Sequence, residues 1–121
     1  MAPMFSPAVL DHFEHPRNAG TLADATAQVE VTNPVCGDIL QLAARVEGGR
    51  LAQVRFLCRG CTTSIACASL LTEKLQGKSA QDALRISAES LSAELGTLPA
   101  TTFHGAQLAI DALQALLERI A

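Results

Sequence analysis

The sequence holds no tryptophan and no tyrosine, and phenylalanine, at four positions, supplies the only benzene rings. An interior with so few rings must be built by aliphatic packing, mostly of Ala, Leu, Val and Ile, and the many alanines favour close helix packing. Charge is also scarce. Charged residues make up 17% of the chain, the net charge is −3, and no basic run occurs. That excludes an electrostatic footprint for nucleic acid. No apolar stretch approaches the roughly 18–20 residues that cross a bilayer, so no membrane span is expected. No basic segment leads into an apolar one at the start, so no secretory signal is expected and a cytoplasmic location is the default. No internal repeat or low-complexity linker breaks the chain. At 121 residues and 49% hydrophobic content, it reads as a single domain, residues 1–121, long enough to bury a core.

Four cysteines are present. In a cytoplasmic chain they point away from a disulfide framework and towards metal or reactive thiols. Cys67 is the exception. It lies within an Ala/Ser/Leu run, six residues after Cys61. That is about 240° around a helix, so the two thiols do not share a face and Cys67 reads as a small core hydrophobe.

The remaining pattern is strands first and helices after. Ser6 to His15 reads as a first helix, with Ser6 as N-cap, Pro7 at the first helical position, and Val9, Leu10 and Phe13 as its apolar stripe. Pro16 ends it. Ala27 to Thr32, Ile39 to Val46 and Leu51 to Cys58 alternate as strands. Glu47-Gly48-Gly49-Arg50 joins the last two as a hairpin turn. Helices are expected over Thr62–Leu75, Ser79–Leu84, Ser87–Leu95 and Thr102–Ile120. In the last, Ala109, Leu113, Leu116 and Ile120 share one face, opposite Asp111, Gln114 and Glu118. The expected fold class is α+β, a three-stranded antiparallel meander with helices packed on one face.

The chemistry gathers in two places. Cys58-Arg59-Gly60-Cys61 stands where the third strand gives way to a helix. Gly60 suits the tight turn, and the helix N-terminus favours a thiolate at Cys61. The C-x-x-C spacing suits a zinc or redox pair, but a thioredoxin-like motif needs a parallel setting and a zinc knuckle a second pair. Cys58 reads equally as a half-buried strand-end thiol. Cys36-Gly37-Asp38, in the loop after Pro34, sets a soft thiolate beside a hard carboxylate, able to face one ion if Gly37 bends the chain. A plain turn with a solvated Asp is the competing reading. His104 opens the last helix within reach of this cluster, or is structural. His12 and His15 have a spacing that permits shared ligation, but with Pro16 adjoining and no third ligand nearby a solvated or capping role is expected.

Taken together, longer runs resemble one family. Asp11-His12-Phe13-Glu14-His15-Pro16-Arg17-Asn18-Ala19-Gly20 resembles the D-H-[YF]-x-x-P-R-N-x-G opening of the IscU/NifU-type iron–sulfur cluster assembly scaffolds. Asn33-Pro34-Val35-Cys36-Gly37-Asp38 is similar to their first-cysteine loop. Phe56-Leu57-Cys58-Arg59-Gly60-Cys61, followed by Ser64-Ile65-Ala66, is similar to their second-cysteine turn. Leu98-Pro99 and Phe103-His104 resemble the segment before their third cysteine. The resemblance implies a scaffold rather than an enzyme. It implies a site that holds a nascent [2Fe–2S] cluster or an iron ion, with zinc as an alternative, at Cys36, Asp38 and Cys61, beside His104. It also implies a cysteine desulfurase and iron–sulfur acceptor proteins as partners.

Two departures stand out. Gly105 occupies the place of the third cysteine. Cys36, Asp38, Cys61 and His104 still make four donors, and Cys58 is a possible substitute thiolate. Leu98-Pro99-Ala100-Thr101-Thr102 replaces the L-P-P-V-K motif with which one branch recruits a chaperone, so that contact is not carried over. The departure at Gly105 also leaves open an interaction module that binds no cluster. A zinc-bound sulfur acceptor is open too, with Cys61 as the persulfide site.

Overall fold

The computed structural model describes residues 5–120. Helix α1 (Pro7–Glu14) is followed by strands β1 (Ala27–Thr32), β2 (Ile39–Glu47) and β3 (Arg50–Arg59). Helices α2 (Thr62–Leu75), α3 (Ala80–Ala83), α4 (Ala88–Glu94) and α5 (His104–Ile120) complete it. The sheet order is β1-β2-β3, antiparallel throughout. This is the expected meander, and the strand limits agree to within a residue. Gly48 (φ 59°) and Gly49 (φ 75°) form the two-residue hairpin turn. Positive φ at both central positions is what matches the twist of the flanking strands.

Alternation decides which sheet face is buried. Val29, Leu40, Leu42, Ala44, Val54 and Phe56 are all buried in the core. Leu42 lies opposite Val29 on one side and Phe56 on the other, so the apolar rows of the three strands are in register. Helices α2 and α5 cover this face. Ala66, Cys67, Ala68 and Leu71 of α2 are fully buried, as are Ala109, Ala112 and Leu116 of α5. Small side chains along both helices let them approach each other and the sheet, while each buried leucine contributes about 1.5–3 kcal/mol. Cys67 lies in this core as expected. Asp111, Gln114 and Glu118 are exposed on the far side of α5.

Local signals start and stop the helices. The hydroxyls of Ser6, Ser79 and Ser87 each accept an amide of the first turn, and Ser87 forms a reciprocal capping box with Ser90. Helix α5 begins two residues later than expected. The amides of Gly105 and Ala106 bond to the carbonyls of Thr102 and Phe103, a three-residue spacing. Residues 99–103 are therefore a tightened turn that feeds the helix.

The first helix corrects two expectations. Of the proposed stripe only Val9 is buried, while Leu10 and Phe13 are 37% and 39% exposed. The residue that joins Val9 on the inner face is His12, three positions on and 8% exposed. It is not solvated, and among the described residues it joins no cluster of metal donors. Its Nδ1 lies 2.8 Å from the hydroxyl of Ser69 in α2. The same hydroxyl accepts the Arg17 amide at 2.9 Å, and the Thr72 hydroxyl donates to the Arg17 carbonyl. Asn18, held at φ 63°, accepts the Phe56 amide, and Gly20 donates to the Phe56 carbonyl. The run from Asp11 to Gly20 thus ties α1 to α2 and to β3.

Candidate metal centre

Three separate stretches meet at the N-terminal end of α2. The first is the loop between β1 and β2. The Asn33 amide donates to the Asp38 carbonyl and the Gly37 amide to the Asn33 carbonyl, both at 2.8 Å. Gly37 takes φ 77°, a conformation that strains other residues. The loop closes on itself, leaving the Cys36 thiol exposed while the Asp38 side chain turns inward and is buried.

The second stretch is the turn from β3 into α2. Cys61 is the N-cap of α2, exposed, with extended backbone (φ −73°, ψ 166°). Gly60 has no positive φ, so its glycine answers to something other than a special turn. A Cβ built there lies 2.7 Å from the Asp38 carboxyl carbon. Gly60 is bare because the Asp38 carboxylate lies against it. The third stretch is the start of α5, which brings in His104.

The donor atoms of Cys36, Asp38 and His104 lie within 4.8 Å of one another. His104 Nε2 is 3.9 Å from Asp38 Oδ2 and 3.8 Å from the Cys61 sulfur. Cys61 stands just outside the compact triad, on its His104 side. The four residues singled out in the sequence therefore occupy one patch, although they come from three separate chain segments.

A fifth residue belongs to it that sequence reasoning did not single out as part of the site. The buried Ser64 hydroxyl donates to Asp38 Oδ2 at 2.6 Å and lies 3.3 Å from the Cys61 sulfur. Its signal is positional, since a serine three residues after an N-cap turns back towards the cap. Burial by itself raises the Asp38 pKa. The Ser64 hydroxyl, the Cys61 amide and the thiols of Cys36 and Cys61 outweigh it and hold the carboxyl below its ordinary value. Asp38 is thus a carboxylate at neutral pH, ready to accept a cation.

The other two thiols differ. Cys58 is half-buried on the core side of β3, where burial, then the nearby Asp38 and Cys61, push its pKa up to about 12. It is absent from the triad of converging donors. Cys67 is buried and likewise raised to about 12. All four cysteines are free thiols. Both thiols are therefore held in the protonated form by their surroundings, unlike a thiol at an exposed helix N-terminus.

Two thiols, a carboxylate and an imidazole form a mixed donor set. Thiolates suit iron–sulfur clusters and zinc, and imidazole can replace thiolate at either. The sulfurs of Cys36 and Cys61 are exposed to solvent.

Comparison with known proteins agrees with this architecture. The chain is 40% identical over 111 residues to the iron-sulfur cluster assembly scaffold protein IscU 1 of Archaeoglobus fulgidus, covering 92% of this chain and 72% of that protein. It is 38% identical over 117 residues to the iron-sulfur cluster assembly scaffold protein IscU of Haemophilus influenzae, covering 93% and 92% of the two chains. The fold is shared with a crystal structure described as a putative iron-sulfur cluster assembly scaffold protein for the SUF system of Fervidobacterium islandicum. There the TM-score is 0.75, the identity 21%, and the coverage 94% of this chain and 96% of that one. The sequence profile of the NifU-like N-terminal domain matches residues 4–119, and the chain belongs to that family.

Proposed function

We propose that this chain is a scaffold on which an iron–sulfur cluster is assembled and from which it is passed on. The observation that carries the proposal is the meeting of Cys36, Asp38 and His104 within 4.8 Å, with Cys61 3.8 Å from His104, in a member of this family. Cys36, Cys61, Asp38 and His104 are the ligands, and the nascent [2Fe–2S] cluster, or its iron, is the cargo. The carboxylate is the weakest of the four donors for iron in a cluster. It is also held by the Ser64 hydroxyl and the Cys61 amide, which compete for its lone pairs. Asp38 is therefore the ligand that lets go when the cluster moves on. A cysteine desulfurase supplies the sulfur, proteins lacking clusters receive the product, and the chain itself catalyses no reaction. Among the described residues no helix is long and apolar enough to cross a membrane, and a cytoplasmic setting suits the free thiols.

Anaerobic purification, with iron, zinc and acid-labile sulfide analysis and an absorption spectrum, tests the proposal. Iron and sulfide in equal amounts with thiolate-to-iron bands are expected. Zinc without sulfide would indicate a sulfur acceptor instead, and neither metal would indicate an interaction module. Asp38→Ala is expected to lengthen the lifetime of the bound cluster in a chelator challenge. A shortened lifetime would contradict the role given to Asp38.

A further inference from the structure

Ser64 is the third residue of α2, and its hydroxyl stands between two of the donors. It donates to Asp38 Oδ2 at 2.6 Å and lies 3.3 Å from the Cys61 sulfur, in a geometry that lets either of those two atoms donate. A hydroxyl has one proton and turns about its C–O bond to suit its neighbours. It can give that proton to the carboxylate or to the sulfur. The local structure leaves this choice open. In a capping box the third residue of a helix takes the amide of the cap. Here the Cys61 amide points instead to Asp38 Oδ2, at 3.5 Å, and Cys61 makes no side-chain cap bond. The carboxylate, which arrives from the loop between β1 and β2, has taken over the cap amide. The Ser64 hydroxyl is left to bridge carboxylate and sulfur. Ser64 and Asp38 are 2% and 7% exposed, so water has little access to the shared proton. With the centre empty, the short contact places the proton on the ionised carboxylate. A bound metal draws on the lone pairs of Asp38 and makes Cys61 a thiolate ligand, and the sulfur then becomes the better acceptor.

We propose that Ser64 is a positioning residue that sets how readily the cargo leaves: its hydroxyl turns from Asp38 to the Cys61 sulfur as the centre fills, and its return to Asp38 draws the carboxylate off the metal. The proton stays on the serine oxygen throughout, and only its acceptor changes. The inference rests on the scaffold reading above and adds to it the group that acts on the releasing ligand.

The test uses the full chain loaded anaerobically with iron(II) and sulfide. Two quantities are read, the half-life of the cluster against a chelator and its reduction potential. Ser64→Ala removes the competitor for the carboxylate and is expected to lengthen the half-life about tenfold, the order set by one hydrogen bond to a charged group. It also removes a hydrogen bond to a cluster sulfur. Such a bond favours the reduced, more negative cluster, so the potential is expected to fall. A half-life that is unchanged or shortened overturns the inference, and so does an unchanged potential. In an Asp38→Ala background, Ser64→Ala should lengthen the half-life no further. Further lengthening there would mean that the hydroxyl acts apart from the carboxylate, and would overturn the inference. Damage to the fold would shorten the half-life, the opposite of the expected change. Ser64→Gly lacks the hydroxyl too but packs differently, and it must move both quantities in the same directions; disagreement counts against the inference. The loaded wild type offers a check without any substitution. Its iron–sulfur stretching bands should shift in D2O, where the serine deuteron lies on the Cys61 sulfur, and bands that do not move overturn the inference alone. A wild type that takes up no iron and sulfide overturns the scaffold reading, and the inference with it.

Discussion

Helix α2 carries two polar clusters that look alike in composition and differ in what they do. Midway along it, Ser69 and Thr72 meet His12, Arg17 and Asn18. At its N-terminal end, Cys61 and Ser64 meet Asp38, Cys36 and His104. The first cluster is closed. His12, Ser69 and Thr72 are buried and joined by bonds of 2.8–3.1 Å. The second is closed only at its floor, where Ser64 grips Asp38 at 2.6 Å. Its sulfurs are exposed, and its upper contacts are 3.8 Å or longer. Buried polar groups that satisfy each other hold a fold together. Donors gathered without satisfying each other are arranged for something that arrives from outside.

The sharpest way to break this contrast is to remove a thiol at the open end. Cys61→Ser and Cys36→Ser are each expected to weaken metal binding more than about 100-fold, since a hydroxyl is a poor ligand for a thiolate-seeking metal. Both sulfurs are exposed, so the denaturation midpoint of the metal-free protein should barely move. Retained stoichiometric metal in Cys61→Ser would remove Cys61 from the centre.

The converse change lies in the closed cluster. Ser69→Ala leaves the Arg17 amide and the His12 ring without their shared partner, which should cost about 1–3 kcal/mol in a denaturant melt. Metal affinity should stay within about twofold of wild type. A large loss of affinity without loss of stability would mean that the two ends of α2 are coupled.

His12 sharpens the contrast through pH. Burial, and then the Arg17 charge, lower its pKa below the ordinary 6.5 despite the nearby carboxylates of Glu73 and Asp11. The unfolded chain therefore binds a proton more readily than the folded one. Stability should be full above about pH 6.5 and decline as the pH falls towards the folded value, by at most about 1.4 kcal/mol per pH unit. In His12→Ala this dependence should vanish from the stability profile between pH 7 and 5. A wild-type profile that stays flat there would contradict the buried neutral ring.

The smallest effect is expected at Cys67, which belongs to neither cluster. Cys67→Ala removes one buried sulfur and should cost about 1 kcal/mol, with metal stoichiometry unchanged. Metal loss in this variant would mean that the core thiol reaches the centre.

Strand limits, the hairpin and the serine caps were legible because each depends on neighbours in sequence. Alternation, a Gly-Gly pair and a serine before a helix act within a few residues of themselves. The apolar faces of β2, β3 and α5 were legible for the same reason. Helix α1 was misread because its inner face meets a polar patch of α2, so hydrophobicity alone pointed to Phe13 and away from His12. Cys36, Asp38, Cys61 and His104 were marked by residue type, motif and the glycines beside them. That they converge, that Cys58 turns to the core, and that Ser64 binds Asp38 depended on how three segments pack.

The sequence by itself determined the local elements and the inventory of donor atoms, because propensity, alternation and residue chemistry are properties of short stretches. Only the tertiary structure decided which donors face one another and why Gly60 is bare. The Asp38 carboxylate lies against Gly60, where a Cβ would meet it at 2.7 Å. That is a contact between residues far apart in sequence, and close approach of that kind exists only once helices and sheet have packed.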